Sequence, residues 1–192
     1  MVEKATGGVE RGWLWPGVGV FWGMKKSIVF LIAFVFAGLG VSAQTPNARP
    51  DTAMVRFFSG NWKGEGKFAN GRPIEATVSF RLSLDSAWLV CEHRDVPPNG
   101  YAADFYWGVD RDTKAFEAYC FDNFNGHRHF GSNGWLKGRI VLTTQASAGG
   151  GHIYFEHFIF EKVTEGSFRM TYEVSGDGIT WQLGDSLVFT RR

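Results

Sequence analysis

The sequence predicts an all-β protein, a single antiparallel up-and-down β-barrel of about ten strands preceded by a short helix or turn. Three observations carry this expectation. Beyond Gly60, short runs alternate apolar and polar residues, and no stretch keeps a helical period. Turn-forming pairs punctuate these runs, among them Asn70-Gly71, Asn125-Gly126, Lys137-Gly138 and Glu165-Gly166. No long crossover breaks the succession of hairpins, and a meander of this length must hide its two edges. Closure into a barrel removes them, and a sandwich is the competing arrangement.

The chain has 192 residues, and its beginning reads as a leader rather than as part of the fold. Residues 24–43 combine Lys25 and Lys26, an apolar run from Ile28 to Leu39, and the small residues of Val41-Ser42-Ala43. That is the layout of a secretory signal peptide cleaved after Ala43, and the apolar run is short of the ~20 residues of a spanning helix. Residues 1–23 have no periodicity and read as an over-extended gene start ahead of Met24. The expectation is therefore export to the periplasm or beyond, without stable membrane insertion after cleavage.

Residues 44–192 carry 16 Lys/Arg against 17 Asp/Glu, a net charge of −1. So balanced a domain makes no global electrostatic case for binding nucleic acid or an anionic membrane. Residues 44–56 read as a polar linker running into a short helix. Asp51 is placed to cap Thr52 to Phe58, with a stop at Gly60. The barrel occupies residues 57–192. Its strands are expected at 62–68, 74–84, 87–94, 102–109, 115–121, 127–136, 139–145, 152–162, 167–175 and 179–191. The second is the clearest: Ile74, Ala76, Val78, Phe80, Leu82 and Leu84 share one face, and Glu75, Thr77, Ser79, Arg81, Ser83 and Asp85 the other.

Cys91 and Cys120 are the only cysteines and fall on the third and fifth strands. One intervening strand separates them by about 9.6 Å, beyond the roughly 7 Å that a disulfide spans, so buried free thiols are expected.

The sharpest motif is Gly60-Asn61-Trp62-Lys63-Gly64-Glu65-Gly66 on the first strand, with Phe189-Thr190-Arg191 on the last. In a closed meander these strands are neighbours. Trp62 is then placed to plug the floor and Arg191 to stack on its indole, while Gly64 and Gly66 remove side chains where the strand bends. The combination resembles the calycin superfamily, which includes lipocalins and fatty-acid-binding proteins. Its GxWxGxG strand resembles nitrobindin-like barrels and, more closely, a bacterial family known as a domain of unknown function. There the GxW strand is followed by an alternating strand, by an element like Gly108-Val109-Asp110, and by a strand like that from Ala115 to Asp122. The resemblance spans roughly residues 57–191 and implies a barrel with an internal site. Nitrobindin-like barrels hold haem through a histidine near the last two strands. Residues 168–192 contain none, so no cofactor is expected, although His152 or His157 offers a substitute one strand earlier.

His127 and His129 share a face and, with His157 or Glu156, are candidate metal ligands; polar residues at the surface or barrel mouth beside the loop from Asn123 to Gly126 are the plainer reading. Asp104, Glu117, Asp122, Glu156 and Glu173 are available for acid–base work, but spacing singles out no pair, and no nucleophile motif appears. The aromatic residues remain. Phe80, Phe105, Trp107, Phe116, Tyr154, Phe158 and Tyr172 recur at strand spacing. They either fill a core or line a cavity, and a ten-stranded barrel is wider than the eight-stranded type that already holds a small ligand. The expected function is binding of a small apolar or amphipathic molecule in a pocket of ~300–1,000 Å³. The alternatives are a haem or enzymatic site built on His127, His129 or His157, and a filled structural barrel.

Overall fold

The structure is a computed structural model and describes residues 48–147 and 153–192. The leader, the start at Met24, the cleavage after Ala43, the first part of the linker and His152 lie outside the described residues. No helix among the described residues is long and apolar enough to cross a membrane.

One helix, α1 (Thr52–Phe58), precedes ten strands: β1 (Gly60–Phe68), β2 (Pro73–Ser83), β3 (Trp88–Asp95), β4 (Ala102–Val109), β5 (Phe116–Asp122), β6 (His127–Ser132), β7 (Arg139–Ser147), β8 (Ile153–Thr164), β9 (Ser167–Ser175) and β10 (Gln182–Arg191). Each strand pairs antiparallel with the next, and β10 returns to β1, so the sheet closes without an edge. Closure of one sheet, rather than packing of two, is the architecture.

Two strands are shorter than their alternation suggests. β6 ends at Ser132 because Gly134 turns the chain at φ +79°, and Trp135 folds back onto Phe57 and Phe58. β10 starts at Gln182 because Asp177 holds the preceding residues in a turn, accepting from the backbone N–H of Ile179 and Thr180 at 2.8 and 2.7 Å. The apolar face of β2 also ends sooner than the sequence implies: Leu82 and Leu84 are exposed, past the packed interior.

The barrel has two unlike ends. α1 closes one of them. Asp51 Oδ1 accepts from Met54 N at 2.8 Å and starts the helix, and the spacing of Met54, Phe57 and Phe58 puts all three inward. Trp62 Nε1 donates to Phe58 O at 2.7 Å and ties the helix end to β1. The Arg191 guanidinium lies 4.1 Å from the Trp62 ring centre and donates to Ser59 O, sealing the same corner.

The glycines of the motif have separate tasks. A Cβ on Gly64 would meet the Phe189 ring, and one on Gly66 would strike the backbone of Ser186. Both residues therefore allow β1 and β10 to approach closely. Gly60 turns the chain out of α1 at φ +120°.

Above this floor, Phe58 packs edge to face on Trp107, Phe160 and Phe168, and Trp107 on Phe80 and Phe160, with ring centres about 5–6 Å apart, while Phe58 meets Phe80 at a tilt. Such contacts are the favoured geometry for aromatic quadrupoles. This end of the barrel is filled.

Candidate functional site

The other half of the interior holds a cavity of about 180 Å³. It is smaller than the sequence suggests because the aromatic cluster occupies the half of the barrel beside α1. Its apolar wall is made by Phe68, Ile74, Phe105, Phe158, Phe160 and Met170. Its polar wall is made by His93, Asp95, Tyr101, Arg128, Tyr172 and Asp185.

Strand alternation explains why charge is inside. Arg128 shares a face with Phe130, His93 with Leu89 and Cys91, and Asp185 with Leu187 and Phe189. These polar residues fall at the strand ends away from α1, where the interior approaches solvent. Asp185 follows a bulge between Leu183 and Asp185 in the pairing of β10 with β9. Bulges re-aim side chains in this way near barrel rims. Here Asp185 lies opposite both Tyr172 of β9 and Phe68 of β1.

Arg128 anchors the polar wall. Its Nη1 donates to Glu156 Oε1 at 2.9 Å, and its Nη2 donates to Asp122 Oδ2 and to the Tyr101 hydroxyl, both at 2.9 Å. Tyr172 donates to the same Glu156 oxygen at 2.8 Å. Glu156 is 1 % exposed, yet its second oxygen has no hydrogen-bond partner among the described residues. His93, 5 % exposed, meets Asp95 Oδ1 through Nε2 at 2.9 Å. Asp185 Oδ1 is likewise buried without a partner.

Burial dominates the electrostatics. It pushes the Asp185 carboxyl up to about 6; His93 pulls the other way, and Asp95 adds to the rise. Burial raises the hydroxyls of Tyr101 and Tyr172 far above a free phenol, so both remain proton donors. It also raises the thiols of Cys91 and Cys120, which are free and buried. The two thiols flank Phe105 across β4.

The residues singled out from sequence are divided among several places. Phe105, Phe158 and Tyr172 line the cavity. Phe80 and Trp107 belong to the filled half, and Phe116 packs at its edge, 6.3 Å from Trp107 between ring centres. Tyr154 lies in a separate depression beside Val174 and Gln182. Trp62, Gly60, Gly64, Gly66 and Arg191 meet at the closed end.

The three histidines weighed as active groups are outside the cavity. His127 and His129 are exposed, with His129 stacked on Tyr119. His157 stacks on Trp181 and faces Glu173. The residues between and beside them, Arg128 and Glu156, point in. The same alternation that pairs His127 with His129 therefore separates both from Glu156, and no metal cluster of three or more ligands forms among the described residues. Of the five acidic candidates, Asp122 and Glu156 face inward, while Asp104 pairs with Arg94, Glu117 with His129, and Glu173 with His157.

Sequence reasoning missed His93, Asp95, Arg128 and Asp185 as cavity residues. A signal was present at all four: a charged or titratable residue in phase with the apolar face of its own strand. Comparison with protein-family models and with curated proteins finds no match to this chain.

Proposed function

We propose that this chain is an exported, calycin-like binding protein that holds one small amphipathic molecule inside the barrel. One observation carries the reading: an internal cavity with an apolar wall on one side and a fixed set of polar groups on the other. Such a cavity solvates neither a purely apolar nor a purely polar guest well, and it orients a molecule that has both parts. The leader at residues 24–43 supports export, and the Trp62–Arg191 closure supports the calycin assignment.

The cavity volume, about 180 Å³, favours a guest smaller than the drug-sized molecules of ~300–1,000 Å³ pockets. Native mass spectrometry of freshly purified protein is expected to show a single non-covalent adduct of low mass. Ile74→Phe fills the cavity from the apolar wall and is expected to remove the adduct while the thermal transition stays cooperative. An adduct that survives Ile74→Phe places the guest elsewhere. Protein free of any adduct, and unable to take up small amphiphiles in titration, favours the filled structural barrel.

A further inference from the structure

The geometry points to a cationic guest: a small apolar molecule carrying one ammonium group, seated with its head beside Asp185 and its body against Phe68, Ile74, Phe105 and Met170. This rests on the binding reading above and names the ligand class of that same cavity.

The balance of charge argues first. Asp95, Asp122, Glu156 and Asp185 supply four carboxylates around the polar end, against one arginine and one histidine. Arg128 does not offer its charge to a ligand. Both of its terminal nitrogens are engaged, Nη1 by Glu156 and Nη2 by Asp122 and Tyr101. A carboxylate guest would have to break one of these pairs, leave a buried acid without its counterion, and sit beside Asp185.

Unmet hydrogen-bonding capacity argues second. Glu156 is 1 % exposed and points inward from β8, and its Oε2 accepts nothing. Asp185 Oδ1 accepts nothing either. Two of the buried unpartnered atoms at this end are carboxylate oxygens and one is the Arg128 Nε donor, so acceptors outnumber donors, and each costs desolvation free energy that no protein partner repays. An ammonium has three donors and no acceptor, the complement of this end of the cavity. Tyr172 connects the two acids, donating to Glu156 behind the cavity lining and lying opposite Asp185, which lines it, across β9 and β10.

The test uses the full chain and three probes of equal length: hexylammonium, hexan-1-ol and hexanoate, titrated calorimetrically at pH 7.5. Hexylammonium is expected to bind at least about ten-fold more tightly than hexan-1-ol, with hexanoate weakest, as a charge-assisted contact in a desolvated site predicts. Asp185→Asn is expected to cost hexylammonium about ten-fold and to leave hexan-1-ol within about two-fold. Should Asp185→Asn not fold, the ranking of the three probes on the unmodified chain decides alone. Equal affinities, a preference for hexanoate, or an ammonium preference unchanged in Asp185→Asn overturns the cationic assignment and leaves the binding reading standing. Failure of all three probes overturns both.

Discussion

The two halves of the barrel interior are built from the same strands and do opposite things. Along β3 the inward residues run from Leu89 through Cys91 to His93, and along β10 from Phe189 through Leu187 to Asp185. Near α1 every inward position is apolar, and most are aromatic. Toward the far end polar and charged residues replace them, and an unfilled volume opens. Buried aromatic packing is concentrated in the first half, where the rings meet at about 5–6 Å. Polar groups are concentrated in the second, where each costs desolvation unless a partner satisfies it. The separation allows the polar end to carry unpartnered buried groups because the closed end supplies the packing.

The largest effect is expected at the closed end. Trp62→Ala removes a fully buried indole, its bond to Phe58 O and its contact with Arg191, and is expected to cost about 3–5 kcal/mol in denaturant unfolding. A loss under about 1 kcal/mol would mean that the floor contributes little and that the contrast between the halves is misdrawn.

Arg128→Met tests the polar half in the same units. It leaves Asp122 and Glu156 buried without their cation, and a loss of about 3 kcal/mol is expected at neutral pH. Arg128→Lys, which keeps the charge without the fork, should lose less, and an equal loss in Arg128→Lys and Arg128→Met would remove the ion pair as its cause.

Asp185→Asn is expected to stabilise the protein. The folded-state pKa, about 6, lies above the ordinary carboxylate value of 3.8, so the native state holds its proton longer than the unfolded chain does. The wild type therefore loses stability as pH rises from about 4 to about 6 and recovers none above that. Asn has no such loss, so the variant should gain about 1–3 kcal/mol at pH 7 and almost nothing at pH 4. The charged groups that act on Asp185 are His93 and Asp95, and Tyr172 lies opposite it on β9, so the same titration is to be repeated in His93→Gln, where the profile should persist. Equal stability of wild type and Asp185→Asn at pH 7 would show that the carboxylate is better solvated than its burial implies.

The smallest effect concerns the seal. Arg191→Ala is expected to cost less than Trp62→Ala, with a coupling of about 0.5–2 kcal/mol in the double-mutant cycle, because the two side chains share one stacking contact. Strict additivity would separate them energetically despite their 4.1 Å approach.

Much of the architecture was legible before the structure. Period-two alternation and regularly placed turns define ten strands, because a strand with one wet face leaves that mark on its sequence whatever it pairs with. Asp51 marks the start of α1 for an equally local reason. The two shortened strands were not legible: the ends of β6 and β10 depend on where Trp135 packs and on the turn that Asp177 organises.

The candidate site divides along the same line. The sequence by itself determined the barrel, the floor motif from Gly60 to Gly66, and a surplus of aromatic side chains on inward faces. It could not assign those aromatics to filling or lining, since Phe80 and Phe105 have the same local pattern and differ only in depth. Depth is set by strand stagger: Phe80, Cys91 and Phe105 are paired in one register row, and continuing it through Cys120 leads to Arg128 at the polar end. That row crosses five strands, and no local stretch of sequence encodes its slope. Alternation along β6 already puts Arg128, and not the histidines beside it, in phase with Phe130; only the closed sheet decided that it meets Glu156 there and that Asp185 lines the same cavity. The physical reason is that alternation is a property of one strand, whereas a cavity is a property of the way all ten are staggered around it.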